Sequence, residues 1–145
     1  MRLAALAAVF ALGACATQTT EAPADFDPAA CYERSFDVYF EEYADNLTAE
    51  AREAVAAMDR TLAGCRIQHV RIIGMAGARG PAESNMELSV ERAETIASYL
   101  AQETRWPRSV YELRAAGEEG ATNTEEGLPR PMRRRGHVTV TAVAP

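Results

Sequence analysis

Lysine is absent, and all 15 basic residues are arginine. With abundant alanine, we read that usage as genome composition rather than chemistry. It still excludes one site: Gly74, Gly77 and Gly80 recur at three-residue intervals, but the Lys and Ser or Thr of a phosphate loop do not follow them. Positive charge as a whole is scarce. Twenty-one acidic residues leave a net charge of −6, which gives no electrostatic reason to expect nucleic acid. There are two histidines, His69 and His137, both in strand-like surroundings without Cys or carboxylate at ligand spacing, so no metal site is expected. No nucleophile and base stand together, which makes an enzyme the least supported class, and no cofactor is implied. The leading apolar run, residues 3–12, is roughly half the ~20 residues that a transmembrane helix needs.

That run belongs to a leader. "MRLAALAAVFALGAC" has one positive charge at Arg2, an apolar middle and small residues before Cys15, the pattern of a secretion signal. Leu12, Gly13, Ala14 and Cys15 resemble the lipobox of bacterial lipoproteins, which implies a diacylated Cys15 as the mature N-terminus and a lipid anchor. The alternative is an ordinary cleaved signal with Cys15 incidental. Ala16, rather than Asp, after that cysteine resembles lipoproteins retained in the outer membrane. Loss of Arg2 with the leader leaves 14 basic residues against 21 acidic, a net of −7. The expected division is a signal peptide over 1–14, a lipidated Cys and flexible tether over 15–30, and one domain over 31–145. The tether "ATQTTEAPADFDPAA" is rich in Pro, Thr, Ala and acids and has little apolar periodicity. Cys31 and Cys65 remain in an oxidising compartment, either as a disulfide or as two buried thiols.

Within the domain, "SFDVYF" places Phe36, Val38 and Phe40 on one face of a strand. Thr48 is a good N-cap, with Glu50 in the first turn, and Ala51, Val55, Met58 and Leu62 recur at helical spacing up to Gly64. "RIQHVRIIGM", residues 66–75, reads as an interior strand apolar on both faces. From about Asn85 a second helix carries a stripe of Met86, Val90, Ala93, Ala97 and Leu100, broadened by Leu88 and Ile96. "SVYELRAAG" and "HVTVTAV" are the third and fourth strands, joined by a long Gly-, Pro-, Glu- and Arg-rich loop over 117–136. The order βαβαββ predicts an α/β (α+β) sandwich, with two helices on one face of a mixed sheet and the last strand antiparallel. If the first two strands are parallel, Cys31 and Cys65 precede starts at the same sheet end, a geometry that permits the disulfide.

Several short pieces then occur in order: "ADNLTAEA", Gly74, Gly80, Asn85, the run Leu88, Ser89, Arg92, Ala93, then "AAGEEGA", and Arg134 and Arg135 before the closing strand. Over residues 36–143 the sequence resembles the OmpA-like domain of bacterial envelope proteins, and the lipobox with its short tether resembles the peptidoglycan-associated lipoprotein arrangement. The resemblance implies noncovalent binding of the diaminopimelate-containing stem peptide of peptidoglycan, without catalysis. It implies an arginine for the ligand's carboxylate, which falls on Arg92, and an aspartate for its ammonium, which falls on Gly77. Asn85, Leu88, Gly77 and Arg134 complete the implied site. Independently of the family, the backward lean of helical side chains carries the Arg92 guanidinium over the "GARGPAESN" loop, where helix N–H groups also converge. A surface ion pair with Glu83 is the plainer alternative for Arg92. Gly77 leaves an ammonium without a partner, a loss of ~1.5 to 3 kcal/mol that Glu83 or Asn85 could offset. Two functions follow: an outer-membrane lipoprotein that links membrane to wall, or a degenerate domain serving as a structural or interaction module with other envelope proteins.

Overall fold

The computed structural model describes residues 26–119 and 134–145. The expected signal peptide, Cys15 and most of the expected tether lie outside the described residues, as does most of the 117–136 loop. A 3-10 turn at Pro28–Ala30, capped by Asp27, leads to β1 (Arg34–Tyr39). Then come α1 (Ala49–Thr61), β2 (Arg66–Gly74), α2 (Ala82–Glu103), a second 3-10 turn at Arg108–Val110, β3 (Tyr111–Ala115) and β4 (Arg135–Val143). The four strands form one mixed sheet in the order β1-β4-β2-β3, and β4 runs antiparallel to both neighbours. β1 and β2 are therefore parallel to each other with β4 between them, and β2 pairs parallel with β3.

Local chemistry accounts for most boundaries. Thr48 Oγ1 accepts the Ala51 N–H at 3.1 Å, so α1 starts where its cap is. Gly64, at φ 87°, supplies the left-handed residue that turns the chain out of α1 towards β2. Val38, Phe40, Ala51, Val55, Leu62, Val70, Ile72, Ile96, Leu100, Val138 and Val140 are buried between sheet and helices. Gly74 at the end of β2 is fixed by contact rather than by φ, because a Cβ there would collide with the Ser89 carbonyl of α2.

Two expectations need correction. β2 is not apolar on both faces: Ile67, Val70, Ile72 and Gly74 point inward while Arg66, Gln68 and Arg71 are exposed, and an irregularity between Ile67 and His69 shifts the alternation. On α2, Met86 and Val90 are exposed, and the helix begins at Ala82, three residues ahead of Asn85. The inward face of its first half is polar, made of Asn85, Ser89 and Arg92. Backbone packing beneath that half demands hydrogen-bond partners, which Met and Val cannot supply.

Cys31 and Cys65 form a disulfide with Cα atoms 5.6 Å apart. It joins the entry of β1 to the entry of β2 and staples over the strand that separates them.

Candidate functional site

The C-terminal ends of β1, β2 and β3 and the N-terminal end of β4 come together at one edge of the sandwich. Backbone bonds lace them: Phe40 N–H to Arg134 O (2.9 Å), Met75 N–H to Arg135 O (2.9 Å), Ala116 N–H to Gly74 O (2.9 Å) and Ala76 N–H to Gly117 O (2.7 Å). Residues 75–81 leave β2 above this seam and enter α2 through Gly80, at φ 97°, and Pro81. Pro81 occupies the N-cap and offers no side-chain cap, so the first-turn N–H groups of α2 have no side-chain acceptor there.

Arg92 lies beneath this loop with no solvent exposure. Its Nε donates to Ala44 O (2.9 Å), Nη1 to Met75 O (2.8 Å) and Nη2 to Glu41 O (3.1 Å), and its guanidinium stands over the Phe40 ring at 4.9 Å. One side chain thus ties the loop after β1 to the loop after β2. Such burial rules out a solvated ion pair with Glu83, and the guanidinium turns under the loop instead of crossing above it. Desolvation, reinforced by nearby Arg134 and partly opposed by Asp45, lowers the Arg92 pKa to about 10, so it is a cation at neutral pH.

The Arg134 guanidinium, about one-third exposed, reaches solvent, as does that of Arg79. Its Nη1 lies 3.7 Å from Glu42 Oε2, and Arg79 Nη1 donates to Glu42 Oε1 at 2.9 Å, so two arginines flank one carboxylate. The Arg134 Nε is buried without a hydrogen-bond partner among the described residues. Gly77 faces this arginine. Its φ is not positive, and a Cβ placed on it would meet only Arg134 Cγ, at 3.7 Å, an ordinary contact. Nothing in the backbone requires glycine at 77.

Asn85, 4 % exposed, donates through Nδ2 to Glu118 Oε2 at 2.6 Å. Ser89 Oγ accepts the Gly117 N–H at 3.0 Å and donates to Met86 O at 2.7 Å. Leu88 is half-buried in the second turn of α2. Of the residues singled out from sequence, Gly77, Arg92, Arg134 and Asn85 therefore gather around the loop, Asn85 as an anchor for the turn after β3. Glu42, Arg79 and Glu118 were not recognised. "AAGEEGA" held the last of them, but only the pairing of β2 with β3 brings it beside Asn85.

The arrangement offers positive charge from Arg134, Arg79 and the buried Arg92 beside an open helix end, which suits a carboxylate. A separate concavity of about 740 Å³ runs along α2 between Asp45, Arg52, Glu91, Glu94 and Glu103. Its carboxylates outnumber its arginine, so it disfavours an anion. Among the described residues, no group of three or more His, Cys, Asp or Glu is placed to hold a metal, and no helix is long and apolar enough to cross a membrane.

The OmpA family model matches residues 39–134, a span that includes every residue of this site. The fold is similar to the OmpA-like domain of FopA1 from Francisella tularensis, with TM-score 0.64, 18% identity, and 77% of this chain and 74% of that one covered. It is similar to the peptidoglycan-associated lipoprotein from Burkholderia pseudomallei, with TM-score 0.55, 20% identity and coverage of 78% and 92%. The cell wall anchor of the type VI secretion system (T6SS) from Pseudomonas aeruginosa gives TM-score 0.57, 20% identity and coverage of 77% and 82%. No curated protein sequence matches the chain.

Proposed function

The chain belongs to the OmpA family, whose domains are envelope binding modules rather than enzymes, and on that premise we propose that it is an outer-membrane lipoprotein that holds peptidoglycan noncovalently. The anchor in this reading is Cys15, lipidated after the Leu12-Gly13-Ala14 sequence, and residues 16–30 span from the membrane to a domain in the periplasm. The ligand is the diaminopimelate-containing stem peptide. The observation that carries the proposal is the cationic cradle after β2, where Arg134 is accessible, Arg92 adds charge from beneath, and the α2 N-terminus has no side-chain cap. Arg134 meets the ligand's carboxylate, while Arg92 holds the loop in the shape that receives it. The similar proteins named as a peptidoglycan-associated lipoprotein and a cell wall anchor support the choice of wall as partner.

One observation favours the second reading, a structural or interaction module without wall binding: Gly77 places no carboxylate in the loop. Co-sedimentation with purified sacculi separates the two. The protein should pellet with sacculi, and Arg134→Ala should weaken that binding about tenfold or more, as expected for loss of a charge-assisted hydrogen bond. A wild-type protein that stays in the supernatant at every sacculus concentration would favour the module.

A further inference from the structure

We infer that Glu118 supplies the carboxylate that the loop lacks and so recognises the ammonium of the ligand. This rests on the peptidoglycan-binding reading of the same site and assigns its specificity to a residue on another strand. Gly77 and Glu118 each follow a residue of the Ala76–Gly117 hydrogen bond (2.7 Å), so both leave the C-terminal ends of the adjacent parallel strands β2 and β3.

Preorganisation distinguishes Glu118 from the other acids nearby. Its turn is held by Ala76 N–H to Gly117 O, Gly117 N–H to Ser89 Oγ and Glu119 N–H to Ala116 O, with Gly117 in a left-handed conformation at φ 52°. Its Oε2 is fixed at 2.6 Å by Asn85, itself buried and rigid in the first turn of α2. A neutral amide orients the carboxylate without cancelling its charge, and among the described residues Oε1 has no hydrogen-bond donor. Glu42 is instead claimed by Arg79 and Arg134. Glu83 is exposed on α2 with no hydrogen bond or ion pair among the described residues, so ordering it on a ligand would cost side-chain entropy. The site then presents Arg134 to a carboxylate and Glu118 to an ammonium, the two charges of a zwitterionic end group.

The test is titration of the full chain and of Glu118→Gln with two synthetic peptides. One is L-Ala-γ-D-Glu-meso-diaminopimelate, and the other has 2-aminopimelate in its place, lacking only the distal ammonium. Glutamine retains an oxygen that accepts from Asn85, and thermal melts of both proteins check the fold. Wild type should prefer the ammonium-bearing peptide by about tenfold to a hundredfold, the value of one charge-assisted hydrogen bond. Glu118→Gln should bind both peptides alike, at the weaker affinity. If Glu118→Gln keeps the preference, or wild type shows none, the assignment fails while wall binding stands. If wild type binds neither peptide, both fail together.

Discussion

Replacing Arg92 with methionine should destabilise the domain by roughly 2 to 5 kcal/mol, the scale of leaving buried polar groups without their charged partner. Methionine fills a similar length of space, so the loss comes from hydrogen bonds rather than from a cavity. The Ala44 carbonyl loses the Arg92 donor, Glu41 O is left with the Ala44 N–H alone, Met75 O loses one donor, and Phe40 loses its cation. Relief of the buried charge opposes this only in part, because the guanidinium is already repaid by three charge-assisted bonds. Urea unfolding of both proteins gives the difference. Stabilities within about 0.5 kcal/mol would show that Arg92 is not the tie between the two loops. Lost wall binding by an Arg92 variant would follow from lost loop shape as readily as from a lost ligand contact. Arg134, partly exposed and outside the core, is the cleaner probe of ligand contact.

The second large effect is expected at the disulfide. Converting both Cys31 and Cys65 to serine should lower stability by roughly 3 to 4 kcal/mol in the chain-entropy model for a separation of 34 residues. The bond closes a loop that contains all of β1 and α1, so its removal frees the part of the unfolded chain that must find β4 across the largest sequence distance. Urea curves of the oxidised wild type and the double variant measure the loss. Recovery of two alkylatable thiols from the oxidised wild type would refute the bond itself.

What could be read from the sequence follows from what is local. Thr48 caps the helix it precedes, Val38 and Phe40 alternate into the core, and Val138, Val140 and Ala142 show the inward face of β4. The register of Cys31 with Cys65 was legible because it needed only two parallel strands. The first half of α2 was misread because a hydrophobic stripe rewards Met86 and Val90. That half packs instead on the backbone of Gly74 and Gly117, where Ser89 and Asn85 are chosen by hydrogen bonding. Ile73 gave β2 an apolar residue on its second face, where it sits in a row with His137 and Arg114 on the side away from the helices. Arg92 was recognised as important, but its burial depends on three carbonyls in two loops, 17 to 51 residues away. Glu118 and Arg134 reach Gly77 only through the strand order, which no short motif encodes.

The central claim is that this cradle binds the stem peptide of peptidoglycan, and Gly77 offers the most direct test of it. The position has no positive φ and room for a Cβ beside Arg134 Cγ at 3.7 Å, so Gly77→Asp can add a carboxylate without backbone strain. An ammonium has three N–H donors, so a second acid adds to Glu118 rather than duplicating it. The measurement is isothermal titration of wild type and Gly77→Asp with L-Ala-γ-D-Glu-meso-diaminopimelate, with a thermal melt of each. The account predicts that wild type binds and that Gly77→Asp binds about tenfold to a hundredfold more tightly. Two folded proteins that give no binding heat with this peptide would contradict it.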